Sequence, residues 1–581
     1  MDAMRLLLRC SPLVVALALS ACSSAPADET PTAGASRSTR TPPPTATPAR
    51  TPTAEAGEDI GGRPPPLPTD RNAFFLASGA CAVCHENLLD DGGADVSLGT
   101  AWRSSMMANS ALDPYWQASV RAEVGSHPEL RETIEEMCTR CHMPMAHFSA
   151  KARDEPITVL DGGFLDPSSD LHAFAMDGVS CALCHQVRED RLGSPTSYTG
   201  GYVIDAELPE GQRLSFGPYT IEEDQAAIMV AGSGHVPVQG LHITTSEMCA
   251  TCHTLYTPYV DALGQPAGEF PEQVTYLEWF HSSYRRTDTC QECHMPDASG
   301  GVRVANSSVN PRSPFAQHTF VGANAYLLGL LERFGVELGA TASSTQFAQA
   351  RERTEAHLAE QTATIGFDEV SLSGARLSAE VVIENLAGHK FPSAFPSRRA
   401  WLHVTVTDGA GQVVFESGAY GDDGSIVGND NDADPASYEP HYRAVVSPEQ
   451  VQIYETILRD SEGAVTTALM RAAGYLKDNR LLPWGFEKGA PYEDIAVRGE
   501  ARDDENFLEG GDRVLYEVNL GGSQGGPYTL RAELLFQSIS YRWIENLRGL
   551  PGEEIDRFLG YTGELGNVPV VVATAEVTPG G

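Results

Sequence analysis

Apolar and polar residues alternate with period two over several stretches of the C-terminal part of the chain: 377–385 (LSAEVVIEN), 400–408 (AWLHVTVTD), 412–418 (QVVFESG), 513–520 (RVLYEVNL) and 528–540 (YTLRAELLFQSIS). Alternation points successive side chains to opposite faces, so each stretch predicts a strand with one buried face, and the Gly- and Asp-rich intervals between them predict turns. Several such strands predict a β-sandwich-like domain over 365–581. Ahead of it, 341–362 (TASSTQFAQARERTEAHLAEQT) predicts an exposed polar helix that joins two halves, within a connecting segment 336–364. From 71 to 335 neither period persists, and short helices joined by long loops are expected. Pro128 suits the first turn of a helix running through Ile134 into Cys138. A second helix is predicted over 272–284, with Val274, Leu277, Phe280 and His281 near one face, and a third opening at His318. The expected fold class is α+β multidomain: a mostly helical, loop-rich domain followed by the strand-rich one.

At the N-terminus Arg5 and Arg9 flank an apolar run, Leu6 to Leu8 and Leu13 to Leu19. This is the layout of a secretory signal and is too short and broken to span a bilayer permanently. It ends Leu19-Ser20-Ala21-Cys22, which resembles a bacterial lipobox, so 1–22 reads as a lipoprotein signal with Cys22 as the lipidated residue; the alternative is an ordinary signal peptide with an incidental cysteine. Residues 23–70, including TPPPTATPARTPTA, bury too little to offset chain entropy and read as a disordered tether. The chain is thus expected to be exported, periplasmic or at the outer membrane and cell surface, and held to the membrane by lipid alone.

Charge narrows the partners. The 581 residues carry a formal net charge of −38, which repels nucleic acid and anionic lipid and favours basic protein partners.

Cysteine changes the picture most. Ten of the twelve cysteines fall between Cys81 and Cys293, and they repeat one pattern: Cys81-Ala-Val-Cys84-His85, Cys138-Thr-Arg-Cys141-His142, Cys181-Ala-Leu-Cys184-His185, Cys249-Ala-Thr-Cys252-His253 and Cys290-Gln-Glu-Cys293-His294. Two thiols three apart on one turn can each bond a haem vinyl group, and the next residue can offer its imidazole to the iron. Four-thiolate zinc sites and disulfides are the competing uses of such pairs, but neither calls for a histidine after each second cysteine. The motifs therefore predict five haem c groups, with His85, His142, His185, His253 and His294 as proximal ligands.

The second axial position decides between an electron carrier and an open, substrate-binding iron. His172, His242 and His318 are the leading distal candidates by position, followed by His127, His147, His235 and His281. His389, in the loop Gly388-His389-Lys390-Phe391-Pro392, either crosses to a haem or is a loop residue. Met106 and Met107 are alternatives to histidine, Met143 and Met295 are expected to pack on the rings, and His357, His403 and His441 are set aside. The acidic run Asp430-Asn431-Asp432-Ala433-Asp434 lacks the glycine and distal glutamate of an EF-hand and reads as a solvated loop.

SEMCATCHTLYTP, FPEQVTYLEW, CQECHMP, DGVSCALCHQV and GHKFPSAFPSRRAWLHV, spread over roughly 70–410, resemble bacterial multihaem cytochromes related to the tetrahaem cytochrome of ammonia oxidisers and, more remotely, hydroxylamine oxidoreductase. That resemblance implies closely stacked haems with bis-histidine ligation, and His172, His242, His318 and His389 as distal ligands. The haem number and the appended strand-rich domain depart from it. Electron transfer to other redox proteins is the expected function, and a non-catalytic carrier is favoured over an enzyme. The alternative is a multihaem oxidoreductase acting on a small nitrogen or sulfur species at one open iron, although all five motifs end in His and none in the Lys of pentahaem nitrite reductases.

Overall fold

Strands occupy Arg376–Asn385, Arg399–Thr407, Val413–Ser417, Gly511–Asn519 and Thr529–Gln537, where the alternation lies. They belong to a computed structural model that describes residues 65–521 and 525–579. Further strands at Ala363–Ser373, Ile453–Asp460, Ala472–Asp478 and Val570–Val577 complete two sheets. In the larger, the order is Val465–Thr466, Ile453–Asp460, Arg399–Thr407, Thr529–Gln537, Val570–Val577, with two more strands pairing off that path. The smaller runs Ala363–Ser373, Arg376–Asn385, Gly511–Asn519, Ala444–Val445. Leu377, Ala379, Val381 and Ile383 of one sheet share a buried core with Leu402, Val404, Val406, Leu530, Ala532 and Leu534 of the other. The alternate residues that the sequence pattern marks as apolar are thus the ones that meet between the sheets.

The helix Ser344–Gln361 is less exposed than its polar composition predicts. It buries Phe347, Ala350, Thr354 and Leu358, a stripe at helical spacing. Phe347 and Ala350 pack with the helices Ala325–Leu338 and Glu553–Leu565, whereas Leu358 enters the core between the sheets. One helix thereby pins two cores together.

The segment carrying the cysteine motifs has short helices as expected, but also two small sheets that the sequence reading lacks: parallel strands Arg213–Gly217 and His235–Gln239, and an antiparallel pair Leu255–Val260 and Pro266–Gln273. The second pair corrects the predicted helix over 272–284. Glu272 and Gln273 end a strand, helix holds only Thr275–Phe280, and Ser283–Arg286 form a 3-10 turn. His318 does not open a helix either; the helix begins at Ala325. Pro128 starts a 3-10 turn that leads into the helix Arg131–His142.

The acidic run 430–434 is solvated only in part: Asp430 and Asp434 are exposed, whereas Asn431 is buried and Asp432 turns inward. It forms a helical turn, Asp430–Ala433, and Asp432 accepts two hydrogen bonds from the buried Arg399 at 2.9 and 3.0 Å. The leader, Cys22 and most of the Pro/Thr-rich stretch lie outside the described residues. Residues 65–70, assigned to the tether from sequence, are packed: Leu67 is buried and Pro68 O accepts from Gly79 N at 2.8 Å. Among the described residues no helix is long and apolar enough to cross a membrane.

Candidate haem-attachment sites

Each motif sits on a short helix or at its end: Ser78–His85, Arg131–His142, Cys181–Cys184, Ser246–Ala250 and Cys290–His294. Helical geometry brings residues three apart to one side, so both thiols of a motif face the same way. Capping fixes two pairs of these helices relative to each other. Asp177 accepts from Ser78 N at 2.9 Å, from Ser78 Oγ at 2.5 Å and from Ser180 Oγ at 2.5 Å, tying the starts of the first and third attachment helices to one carboxylate. Burial pushes that carboxyl up to about 6, against the pull of the Ser180 and Ser78 hydrogen bonds. Thr289 and Glu292 form a capping box at the fifth helix, and Ser246 Oγ of the fourth accepts from Cys290 N at 3.0 Å.

The motifs form one contiguous group. Thiols of different motifs touch in pairs: Cys81 with Cys181, Cys141 with Cys252, and Cys249 with Cys290. Tyr202 lies within charge range of Cys252, Cys141 and Cys184, at the junction of the second, third and fourth motifs. The first site therefore neighbours the third, the fifth neighbours the fourth, and Tyr202 marks the centre. All ten thiols are free, and among the described residues they do not gather into the three- or four-ligand groups that zinc needs.

A histidine ligates iron through a neutral nitrogen, and its other nitrogen sets which one is available. His85, His142, His185 and His294 each place Nδ1 on a backbone carbonyl: Val304 at 2.6 Å, Ser110 at 2.9 Å, Phe216 at 2.6 Å and Val321 at 2.6 Å. Nδ1–H donation leaves the Nε2 lone pair free in every case. Burial keeps the rings neutral; it pushes His142 down to about 4.

Two opposed rings test the fit to a haem. The rings of His185 and His318 lie 6.3 Å apart, centre to centre, at 17°, and those of His294 and His389 lie 6.3 Å apart at 6°. A metal held by two facing imidazoles at about 2.0 Å each, with each ring centre about 1.2 Å behind its nitrogen, separates the centres by about 6.4 Å, close to the spacing of both pairs. His318 and His389 also bond Nδ1 to backbone, at Ala316 O (3.1 Å) and Lys390 O (2.9 Å), and burial pushes both down to about 4. The centre spacing, the near-parallel rings and the Nδ1 bonds to backbone, which leave Nε2 available, are compatible with a haem iron shared by each pair, with thioether bonds to the adjacent cysteines.

The other candidates are placed differently. His172 donates Nδ1 to Phe164 O at 2.9 Å, which leaves Nε2 free as a ligand requires. His242 instead engages Nε2 with Val187 O at 2.8 Å, so only Nδ1 remains. His235 is buried with Nε2 unpartnered, and His147 holds Nδ1 3.0 Å from Thr139 Oγ1 of the second motif. His127 has Nδ1 3.7 Å from Glu129, and His281 stacks on Tyr492 at 3.8 Å. Met143 is fully buried in one apolar cluster, and Met106 packs at the edge of another, the cluster that includes Leu327 and Leu328. His357, set aside from sequence because its helix is polar, lies 5.9 Å from His294 at 46°. Only its place on the buried side of that helix, three residues after Thr354, could have flagged it.

His441, Asp504 and Asp512 form a buried group with metal-like composition. Its hydrogen bonds argue otherwise. Nδ1 accepts from Gln452 Nε2 at 2.8 Å and Asn479 Nδ2 at 3.1 Å, and both amides are oriented by backbone N–H groups of Tyr442 and Glu455. The ring proton is therefore on Nε2, facing Asp504 Oδ2 at 3.2 Å, where a metal would need a lone pair.

Buried charge surrounds the sites. Glu272 is 5 % exposed, accepts from Thr257 Oγ1 at 2.5 Å, and interacts electrostatically with Cys138 and Glu123. Burial, reinforced by Glu123, pushes its carboxyl up to about 7. A folded-state value above the unfolded one means that ionised Glu272 costs stability above pH 7, and that this cost is relieved as pH falls through 7 towards the ordinary carboxylate value. Glu272→Gln is expected to stabilise the fold by up to about 3 kcal/mol at pH 8, with the gain vanishing below about pH 5. Denaturant midpoints of the two proteins across that range check it; a pH-independent difference would mean that Glu272 is not buried in its ionised form.

No family model and no curated protein matches the chain. Among solved structures, a penta-heme cytochrome c552 from Thermochromatium tepidum is similar at a TM-score of 0.48 and 18% identity, over 86% of this chain and 97% of that one.

Proposed function

We propose that the chain is an exported c-type cytochrome that carries five covalently attached haems and moves electrons between redox proteins. The observation that carries this reading is the pair of opposed imidazoles, His185 with His318 and His294 with His389, at the spacing of a shared iron. Bound haem supplies one-electron chemistry. The chain's own residues would hold it: the ten motif cysteines would anchor it, His85, His142, His185, His253 and His294 would ligate the irons, and His318 and His389 would supply the second ligand at two sites. Residues 71–335 form the haem-bearing part, 336–364 the connection and 365–581 a strand-rich part that lends His389. Cys22 carries the lipid, and 23 to the mid-sixties tether the folded part to the membrane.

A count tests the attachment. Protein expressed in a host that matures cytochromes c is expected to show five haems per chain by pyridine haemochrome assay and a mass increased by five haems. Fewer than five, with haem supply ample, refutes the assignment for the missing motifs.

One observation favours a second reading, an oxidoreductase with an open iron. The buried carboxyls Glu123 and Glu272 lie within charge range of Cys138, and among the described residues His142, like His85 and His253, has no histidine ring paired with it at the 6.3 Å spacing. A high-spin haem that binds nitrite or hydroxylamine would select it; five low-spin haems would select the carrier.

A further inference from the structure

The five attachment helices differ in what they show to solvent. The residues between the cysteines are buried in the second, third and fourth motifs at Thr139, Ala182, Leu183, Ala250 and Thr251. In the first, Val83 is 70% exposed, and in the fifth Glu292 and Cys293 are exposed. The first and fifth sites are also the two that the thiol contacts place away from Tyr202.

The surfaces of these two sites are not alike. Next to the fifth motif, exposed Arg285 and Arg286 mix with acidic groups. Around the first, sign and polarity are ordered. From 72 to 102 the chain has no Lys or Arg, but it has Glu86, Asp90, Asp91 and Asp95. Asp91 and Asp95 are exposed, and Leu89 between them and the motif is 57% exposed. The 298–315 loop folds against this segment: Asn306 donates to Cys84 O at 2.8 Å and Val83 O at 2.9 Å, and Asp91 N donates to Ser299 O at 3.0 Å. That loop adds Val309, 73% exposed, and one exposed cation, Arg303. Apolar side chains at the attachment turn with an acidic margin are what a small, basic protein needs in order to dock: long-range attraction to orient it, and a dry contact to hold it.

We infer that the surface formed by Val83, Leu89 and Val309, with Asp90, Asp91 and Asp95 at its margin, docks a small, soluble, basic redox protein over the first haem site. This rests on the haem reading above and deepens it by assigning the face that the partner meets.

Full-length, haem-loaded protein is titrated with a mitochondrial-type cytochrome c, a small basic haem protein, by calorimetry at low and moderate salt. Asp90→Asn/Asp91→Asn/Asp95→Asn keeps the side-chain oxygens that accept turn hydrogen bonds and removes three charges; it is expected to raise Kd about tenfold and flatten the salt dependence. Val83→Ser is expected to raise Kd about threefold with the salt dependence unchanged. Glu369→Gln/Glu487→Gln/Glu505→Gln removes the same charge from exposed positions in the strand-rich half and is expected to leave Kd within about twofold. Equal weakening by both triple variants would overturn the docking face, since attraction would then be diffuse. No weakening by the aspartate triple would overturn it too. The haemochrome count of every variant separates the two readings: five haems with unaltered binding refutes the face alone, whereas fewer than five in the unsubstituted protein refutes the attachment sites.

Discussion

Asp478→Ala is expected to destabilise the protein by about 3–5 kcal/mol, because it strands two buried cations. Asp478 is 2% exposed and accepts from Lys390 Nζ at 2.7 Å and from Arg480 Nε and NH2 at 2.9 and 2.8 Å. Burial by itself would raise its pKa, but the Arg480 and Lys390 charges overcome that and hold the carboxyl well below the usual range. Without it, Glu278 is the remaining acidic neighbour, among the described residues, of both the fully buried Lys390 and the nearly buried Arg480, and its Oε1 lies 2.8 Å from Arg480 Nη2. Lys390 follows His389 directly, so the loss should also loosen the ring opposed to His294. Guanidinium unfolding followed by circular dichroism measures the first effect, and the spectrum of one haem in five reports the second. Replacing both partners, as Lys390→Met with Asp478→Leu, removes the stranded charge and should recover most of the stability. A cost below about 1 kcal/mol for Asp478→Ala would mean that water reaches the cluster and the charges are screened.

His318→Ala and His389→Ala are each expected to convert one haem of five from low to high spin, and the double variant two. Each ring is opposed to a proximal imidazole at 6.3 Å, with Nδ1 engaged by backbone and Nε2 free. Removing it leaves an iron with an open or water-filled position, which electron paramagnetic resonance counts directly. His281→Ala and His127→Ala serve as controls, since His281 is committed to Tyr492 and His127 faces Glu129. His357 is the competitor at the fifth site. Its ring is 5.9 Å from His294 but inclined at 46°, against 6° for His389. Five low-spin haems in His389→Ala, with one lost in His357→Ala, would exchange their roles.

What could be read from the chain and what could not divide along sequence distance. The candidate attachment motifs were legible residue by residue, because both cysteines and the histidine of a motif lie within five positions. So were the strands whose alternation is regular, such as Arg376–Asn385, because one face of each is buried and the period is local. The misreadings came where neighbours far away in sequence overrode a local pattern. Over 272–284 a helical spacing of apolar residues hid a strand, since Pro266–Gln273 pairs with Leu255–Val260 across a turn. Within the acidic run 430–434, Asp432 looked solvated like its exposed neighbours because its counter-ion, Arg399, is more than thirty residues away in sequence.

Distal ligation shows the same limit most sharply. His318 is 133 residues from His185, and His389 is 95 from His294, so no spacing rule links either pair. Sequence by itself determined how many cysteine-pair motifs the chain offers to a haem and which imidazole follows each pair, because those groups are adjacent in the chain. Tertiary structure alone decided which ring stands opposite, which attachment turns reach the surface and how the strand-rich half reaches back to the fifth site. Each of these depends on two segments that meet only when buried apolar faces, a shared carboxylate such as Asp177 and buried ion pairs such as Lys390 with Asp478 have closed the fold.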